Sequence, residues 1–154
     1  MITEYYTRIL VFGLPGSGKT TFSKKLLESL NKEKIYYAYF NANEIRAMFN
    51  DWDFTINGRI RQSDRMFKLC ELSPKGAIAD FICPYENMRK RFNYFIWMNT
   101  IKEGKYEDTN KLFQKPKDIQ PDVEINDFNY ENKIKTIVKK IKNHECKDID
   151  TKLI

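Results

Sequence analysis

The chain of 154 residues contains a single histidine, His144, and three cysteines that lie far apart. A lone histidine near the C-terminus argues against a Ser-His-Asp triad and against a metal site built from several histidines. The cysteines have no metal-binding spacing, and such a set is typical of a reducing compartment. We therefore expect a cytoplasmic location. The three cysteines are Cys70, Cys83 and Cys146.

Long apolar runs are also missing, since none reaches the roughly 18 residues that a membrane-spanning helix needs. The first ten residues, MITEYYTRIL, lack a basic segment followed by an apolar stretch, so we expect no signal peptide and no membrane partner. No internal repeat or low-complexity segment is visible. With 42% hydrophobic residues, residues 1–154 are expected to form a single domain with a real core.

The net charge of +6 at pH 7 favours an anionic partner, which nucleic acid and small nucleotides both are. Many of the lysines lie in the last third of the chain. On a C-terminal helix, such lysines more often form a solvated face than a docking site. Nucleic acid is therefore the less favoured partner.

Apolar and amphipathic segments alternate along the chain, which is the pattern of βαβ units around a parallel sheet. We predict an α/β fold of three layers, a mostly parallel sheet with helices on both faces. The predicted strands are residues 8–12, 35–40, 77–83, 94–98 and 123–125. The predicted helices are residues 19–30, 44–50, 59–72, 86–92 and 130–142, with a tail over 143–154.

The segment GLPGSGKTT lies between the first predicted strand and helix and has the spacing G-x-x-x-x-G-K-[ST]. Glycines let the backbone curl until several N–H groups point at phosphate oxygens, and the following helix adds its positive dipole end. Lys19 should reach the β- and γ-phosphates of ATP, and the Thr20 hydroxyl should bind Mg²⁺. This context disfavours a chance glycine turn and predicts a P-loop NTPase fold. The predicted phosphate-binding residues are Gly13, Gly16, Ser17, Gly18, Lys19, Thr20 and Thr21.

In open α/β sheets, ligands bind beyond the carboxyl ends of the strands. Four strand ends therefore supply candidate site segments: the phosphate loop, residues 40–46 (FNANEIR), residues 80–85 (DFICPY) and residues 97–104 (WMNTIKEG). We expect these segments to converge. Residues 100–121 are polar with little periodicity, which favours a lid or substrate loop, although a mobile surface loop fits nearly as well.

A guanine-reading N-K-x-D motif is missing, because the nearest match, residues 110–113 (NKLF), ends in phenylalanine. The chain instead resembles the adenylylsulfate kinases, P-loop enzymes that move the γ-phosphoryl group of ATP to the ribose 3′-hydroxyl of adenylyl sulfate. The resemblance runs from about residue 8 to about residue 100, and it implies ATP and Mg²⁺ as cofactors and a small nucleotide as substrate. Four motifs match in order: GLPGSGKTT for G-L-S-G-S-G-K-S-T, NANEIR for D-G-D-x-x-R, DFTINGR for G-F-S-x-x-D-R, and DFICPY for S-F-I-S-P-Y.

The chain departs from that family at Asn41 and Asn43, where its relatives have carboxylates. An amide cannot take a proton near neutral pH, but it can orient a hydroxyl or a metal-bound water. Asp80 ends an apolar strand, where it could hold Mg²⁺ through water or accept the proton of the acceptor. Capping of a helix or turn is the alternative for all three residues. We predict Lys19, Asp80, Asn41 and Asn43 as catalytic residues and Thr20 and Asp80 as metal ligands.

Arg46 and Arg59 match arginines of the family motifs, and the planar guanidinium group suits sulfate or phosphate oxygens. Surface salt bridges are the alternative for both. Phe54 and Phe81 are candidates for stacking on a nucleobase, with core packing as the alternative. The complete predicted acceptor site is Arg46, Phe54, Arg59, Gln62, Phe81, Ile82 and Tyr85.

These motifs predict an ATP-dependent kinase that phosphorylates the ribose 3′-hydroxyl of a modified nucleotide. Adenylyl sulfate is the default acceptor of the family that the chain resembles. Cytidine diphosphoramidate, which short relatives use in bacterial capsule phosphoramidate synthesis, is a second candidate. A nucleotide-binding protein with weak or no catalysis and a polynucleotide 5′-hydroxyl kinase are the alternatives, and a homodimer is compatible with the sequence.

Overall fold

A computed structural model describes the backbone of residues 7–153 and the side chains of residues 7–144, so the side chain of Cys146 lies outside the described part. Strands and helices alternate in it, as the sequence pattern predicts. The strands are β1 (Arg8–Phe12), β2 (Ala38–Asn41), β3 (Ala77–Asp80), β4 (Tyr94–Met98) and β5 (Val123–Ile125). The helices are α1 (Lys19–Lys32), α2 (Ala42–Phe49), α3 (Ile56–Glu71), α4 (Glu86–Arg89), α5 (Glu107–Leu112) and α6 (Glu131–Leu153).

The five strands form one parallel sheet in the order β2-β3-β1-β4-β5. Its side chains alternate between two apolar cores, one on each face. From β1, Ile9 and Val11 pack with residues of α1 and α6, while Leu10 and Phe12 pack with residues of α2, α3 and α4. The predicted three-layer α/β fold is therefore confirmed.

Two strands differ from the prediction: β2 begins three residues later and ends one residue later, at Asn41, and β3 ends three residues earlier. β2 begins at Ala38 rather than at residue 35, because Lys34 has a φ of 63° and turns the chain after α1. β3 ends at Asp80 rather than at residue 83, because Cys83 has a φ of 44° and turns the chain away from the sheet. Asp80 consequently lies at the carboxyl edge of the sheet.

Helix bounds also differ, mainly because of capping residues. α2 and α3 begin two and three residues earlier than predicted, since the side chains of Asn41 and Thr55 accept backbone N–H bonds from Glu44 and Gly58. α4 is a single turn that ends at residue 89 rather than 92. α6 continues through the predicted tail to Leu153, because residues 143–153 contain neither glycine nor proline to end it.

The polar segment 100–121 contains α5, which the sequence pattern did not predict, and its second half is tied to α4. The Glu86 carboxylate accepts backbone N–H bonds from Lys117, Asp118 and Ile119 at 2.9, 3.0 and 3.1 Å. The bond from Lys117 is the leading reason why the pKa of Glu86 is held below its usual range. Residues 117–119 are thus anchored to the base of α4. A lid role for residues 100–121 stays a prediction.

The connection between α2 and α3 is held by an ion-pair network around Asp51. The Oδ2 atom of Asp51 lies 2.7 Å from Arg61 Nε and 3.0 Å from Arg65 Nη2. Arg61 also bonds the Asp53 carboxylate at 3.1 Å. Hydrogen bonds from Arg61 and Arg65 hold the pKa of the Asp51 carboxyl well below its usual range. The network therefore stabilises residues 51–55 only while Asp51 is ionised.

We predict that Asp51→Asn lowers the free energy of unfolding at pH 7 and that this loss shrinks in acid. The native pKa of Asp51 is depressed, so its contribution is complete above the unfolded value of about 3.9 and declines as the pH falls from that value toward the native pKa. Urea unfolding at pH 7 and pH 3 measures the difference. Asp64→Asn, which breaks the exposed pair with Arg91, serves as the control and should change little. A loss for Asp51→Asn that is equal at both pH values would contradict the explanation.

Candidate functional site

The phosphate loop follows β1 directly and requires glycine at two positions. A β-carbon on Gly13 would lie 2.6 Å from the Met98 carbonyl oxygen, a distance that real β-carbons do not reach. Gly18 has a φ of 89°, in the left-handed region that favours glycine, and stands directly before α1. The positive end of the α1 dipole therefore points at the loop, as phosphate binding requires.

The end of β4 supports this loop from behind rather than lining the cavity beside it. Thr100 Oγ1 donates to the Ser17 carbonyl at 2.7 Å, and Ser17 is fully buried. β4 pairs with β1 on the side opposite β3, so the residues that follow it pass under the loop. All four predicted segments converge at one edge of the sheet, but the fourth acts as a scaffold.

Lys19 begins α1 and folds back over the loop. Its Nζ atom donates to the Leu14 carbonyl at 2.9 Å. Part of the residue is exposed, but the ammonium end is buried, and this desolvation lowers its pKa to about 8 against the opposing influence of Asp80. A desolvated ammonium group beside the phosphate loop suits a bound phosphate chain.

A hydrogen-bonded network joins the loop to the two neighbouring strand ends. The Asp80 Oδ2 atom accepts from Thr20 Oγ1 at 3.0 Å, from Asn41 Nδ2 at 3.2 Å and from the Tyr39 hydroxyl at 2.7 Å. Asn41 Nδ2 also lies 3.1 Å from Thr20 Oγ1. Asp80 is 2% exposed, so these bonds replace the water that its carboxylate loses.

The donor set around Thr20 and Asp80 fits Mg²⁺. This ion prefers oxygen ligands, keeps several waters and is usually held by one or two carboxylates together with substrate phosphates. A hydroxyl and a carboxylate within hydrogen-bonding distance at the phosphate loop supply that chemistry. Among the described residues, no group of three or more His, Cys, Asp or Glu side chains is placed to hold a metal ion.

Asn41 both caps a helix and belongs to this network, so the two alternatives for it are compatible. Its Oδ1 atom accepts the Glu44 N–H at 3.1 Å, while its Nδ2 atom donates toward Thr20 and Asp80. Asn43 lies inside α2 and is exposed at the cavity described next. Asp80 caps no helix in the described chain, and its carboxylate faces the loop.

A cavity of about 330 Å³ opens between the loop, α2, the α2–α3 connection and the end of β3. Most of the predicted site residues line it. Gly13 and Ser17 lie buried beneath the loop instead. The predicted residues that line the cavity are Gly16, Gly18, Lys19, Thr20, Thr21, Asn41, Asn43, Arg46, Phe54, Arg59, Gln62, Asp80, Phe81 and Ile82.

Arg46 and Arg59 are almost fully buried at the wall of this cavity, with 5% of each exposed. Arg46 forms no ion pair with a described carboxylate, whereas Arg59 Nη2 lies 3.8 Å from Oδ2 of the exposed Asp108 side chain, so the salt-bridge alternative holds in part for Arg59. Arg46 Nη1 donates to the carbonyls of Asp51 and Asp53, and Arg59 Nε donates to the Phe54 carbonyl at 2.8 Å. Main-chain bonds therefore hold both guanidinium groups at the cavity wall, where an anion in the cavity can approach them.

The aromatic candidates differ in their environment. Phe54 is 46% exposed, and the guanidinium groups of Arg46 and Arg59 lie 4.3 and 5.6 Å from its ring centre. Phe81 is 5% exposed and packs against Phe92 in the apolar core, although it also reaches the cavity wall. Phe54 is thus the better platform for a base, and core packing accounts for most of Phe81.

Tyr85 is not at the acceptor cavity, in contrast to the prediction. It lines a separate, wider groove beside α4, because Cys83 turns the chain between Ile82 and Pro84. Cys83 itself reaches the cavity, but burial raises the pKa of its thiol to about 12, which keeps the thiol protonated.

Tyr39 and Arg89 were missed in the sequence. The signal for Tyr39 is its spacing from Asn41, because residues two apart in a strand share one face. Its hydroxyl keeps its proton, since burial and then the bond to Asp80 raise its pKa. Arg89 is 1% exposed and fixes the cavity wall by donating to the Cys83 and Pro84 carbonyls at 2.9 and 3.1 Å. Nothing in its spacing distinguishes it from a surface arginine.

The adenylylsulphate kinase family profile matches residues 6–116, which is more than half of the chain. The chain belongs to the adenylylsulphate kinase family. It is accordingly an ATP-dependent nucleotide kinase, which agrees with the phosphate loop and the cavity beside it. No curated protein sequence matches the chain significantly.

Solved structures confirm the fold. A protein named APE1195 is 19% identical with a TM-score of 0.74, over 90% of this chain and 96% of that one. The Mycobacterium tuberculosis APS kinase CysC in complex with AMPPNP and APS is 16% identical with a TM-score of 0.69, over 87% and 96%. A gluconokinase from Sinorhizobium meliloti 1021 is 12% identical with a TM-score of 0.57, over 96% and 95%.

No helix within residues 7–153 has the length and hydropathy of a membrane span.

We predict that Lys19→Ala abolishes phosphoryl transfer in this kinase and leaves the fold intact. The ammonium group should neutralise charge that develops on the β- and γ-phosphates, and its removal from a desolvated position costs the fold little. Turnover measures the first effect and thermal unfolding measures the second, while calorimetry reports ATP binding. Lys24→Ala, an exposed change on the same helix, is the control. Turnover of the Lys19 variant at the wild-type rate would contradict a role of the phosphate loop in phosphoryl transfer.

Proposed function

We propose that the chain transfers the γ-phosphoryl group of ATP to the ribose 3′-hydroxyl of a modified nucleotide. The modified phosphate group of that nucleotide is anionic. The observation that supports this best is a single cavity that both the phosphate loop and two buried arginines line. Donor phosphates and an anionic acceptor can therefore meet without either leaving the site. A cavity of about 330 Å³ suits one mononucleotide better than a polynucleotide.

In this proposal, the donor side of the site positions the phosphates of ATP and stabilises the charge that develops during transfer. Loop N–H groups and Lys19 would hold the β- and γ-phosphates, while Thr20 and Asp80 would hold Mg²⁺. When bound, the ion neutralises charge on the β- and γ-phosphate oxygens. The bond between the acceptor oxygen and the γ-phosphorus forms as the bond to the β–γ bridging oxygen breaks, and ADP leaves.

The acceptor side orients the nucleotide rather than activating it chemically. Arg46 and Arg59 face the anionic group, and Phe54 offers a stacking surface for the base. Asn43 is placed to orient the ribose hydroxyl. Phosphoryl transfer has a loose transition state, so the hydroxyl proton can leave late and a strong base is not required. This explains how amides replace carboxylates at Asn41 and Asn43.

Two acceptors remain in the proposal because they share this chemistry. Adenylyl sulfate and cytidine diphosphoramidate share two features. Each has a ribose 3′-hydroxyl, and each has an anionic phosphoryl group that carries a further substituent. The M. tuberculosis relative was solved with AMPPNP and APS, which favours adenylyl sulfate. We keep a catalytically weak nucleotide-binding protein as a second candidate, since the Asn41 amide occupies a place where relatives have a carboxylate. A cytoplasmic location and a homodimer stay predictions from the sequence.

An acceptor panel tests the proposal. ATP consumption with Mg²⁺ is measured against adenylyl sulfate, cytidine diphosphoramidate, unmodified nucleotides and short oligonucleotides. Consumption that depends on one of the first two acceptors supports the proposal. Equal consumption with every compound, or with oligonucleotides alone, would contradict it.

We predict that Arg46→Lys or Arg59→Lys weakens use of the acceptor and leaves ATP affinity nearly unchanged. Lysine retains the charge but loses the planar fork of the guanidinium group. The value of kcat/KM for the acceptor should therefore fall about 10- to 150-fold, which corresponds to roughly 1.5–3 kcal/mol of transition-state stabilisation. Arg91→Lys, a change at an exposed ion pair, is the matched control. An equal loss of ATP binding would assign these arginines to the donor side or to the scaffold.

We predict that Asp80→Asn is damaging and that Asn43→Asp changes turnover by less than about tenfold. Asp80→Asn keeps the shape of the side chain but removes the charge that would hold Mg²⁺ through water. Loss of such a group typically lowers metal affinity or activity about 10- to 100-fold. A new carboxylate at position 43 faces the same cavity and repels both Asp80 and the phosphates. Turnover of both variants with one acceptor decides the matter. A large increase for Asn43→Asp would show instead that the missing carboxylate limits the rate.

A further inference from the structure

Tyr39 is the residue of the network that no motif contains. It lies on β2 two positions before Asn41, and β2 pairs with β3 so that Asn41 is opposite Asp80. This register brings the Tyr39 side chain along the same face of the sheet toward the neighbouring strand end. Its hydroxyl makes the shortest of the three bonds to Asp80 Oδ2, at 2.7 Å.

Counting protons and lone pairs shows what this bond does. The Thr20 hydroxyl has one proton and two lone pairs. Its proton goes to Asp80 and one lone pair accepts from Asn41, which leaves the second lone pair for a cation. This division holds only while the Asp80 carboxylate stays turned toward Thr20. Tyr39 also donates to this oxygen and makes the shortest of its three bonds, which fixes that orientation.

We propose that Tyr39 is a positioning residue that sets the affinity of the Thr20–Asp80 pair for the divalent cation that accompanies ATP. This inference rests on the metal role proposed above for Thr20 and Asp80. Without the tyrosine hydroxyl, Asp80 Oδ2 keeps only the bonds from Thr20 and Asn41, at 3.0 and 3.2 Å. The carboxylate can then rotate, and the Thr20 hydroxyl loses its fixed direction.

The ring of Tyr39 has a separate, structural role that can be kept constant. It packs against the apolar core on the face that α1 covers. Phenylalanine preserves that ring and removes only the oxygen atom. Tyr39→Phe therefore separates positioning of Asp80 from packing of the sheet.

The experiment measures how Mg²⁺ changes ATP binding, which requires no acceptor. ATP affinity of the wild type and Tyr39→Phe is determined by calorimetry in EDTA and across a range of MgCl₂ concentrations. We expect the Mg²⁺ concentration that produces half of the full change in ATP affinity to rise about tenfold in the variant. Loss of an outer-shell partner of a metal ligand typically has an effect of this size. ATP affinity in EDTA and the thermal unfolding temperature should stay close to the wild type. Tyr36→Phe, an exposed tyrosine on the preceding segment, is the control and should behave as the wild type.

Each other outcome contradicts the inference in a distinguishable way. An unchanged Mg²⁺ dependence in Tyr39→Phe overturns the role of Tyr39 and leaves the proposed metal ligands intact. An equal loss of ATP affinity in EDTA shows that the hydroxyl supports the loop rather than the cation. A wild type whose ATP binding does not respond to Mg²⁺ overturns the metal assignment itself.

Discussion

The hydrogen bond between Thr20 and Asp80 is the interaction on which the rest of the site depends, because it joins the phosphate loop to the neighbouring strand. β1 delivers the loop and β3 delivers the carboxylate, and the parallel pairing of these strands sets the two side chains at one edge. Asp80 is buried, so its charge must be matched by donors. Thr20, Asn41 and Tyr39 meet this requirement while leaving the loop open to phosphates.

The acceptor half of the site is rigid for a related reason. Arg46 and Arg59 are buried, and main-chain carbonyls of residues 51–54 hold them. That connection is held in turn by the Asp51 ion pairs. The side chain of Glu86 anchors residues 117–119 close to the second groove. Positioning of this kind suits phosphoryl transfer, in which orientation and charge matter more than covalent chemistry by the protein.

The fold and the position of the phosphate loop could be predicted from the sequence because their signals are local. The spacing of Gly13, Gly18 and Lys19 and the alternation of apolar segments need no tertiary information. Tyr39 and Glu86 could not be predicted in the same way. Tyr39 depends on the register between β2 and β3, and Glu86 bonds a turn 31 residues further along the chain. Tyr85 was misplaced because the left-handed backbone of Cys83 gives no sequence signal.

The most direct measurement follows the γ-phosphoryl group itself by ³¹P NMR, with ATP, Mg²⁺ and the acceptor that the panel selects. If one cavity holds the phosphate loop and the acceptor together, a new phosphate monoester resonance should appear that couples to the ribose H3′ proton. Its intensity should rise in step with ADP. Accumulation of inorganic phosphate without that ester, or an ester at the 5′ position of an oligonucleotide, would contradict the assignment of this cavity as a nucleotide 3′-kinase site.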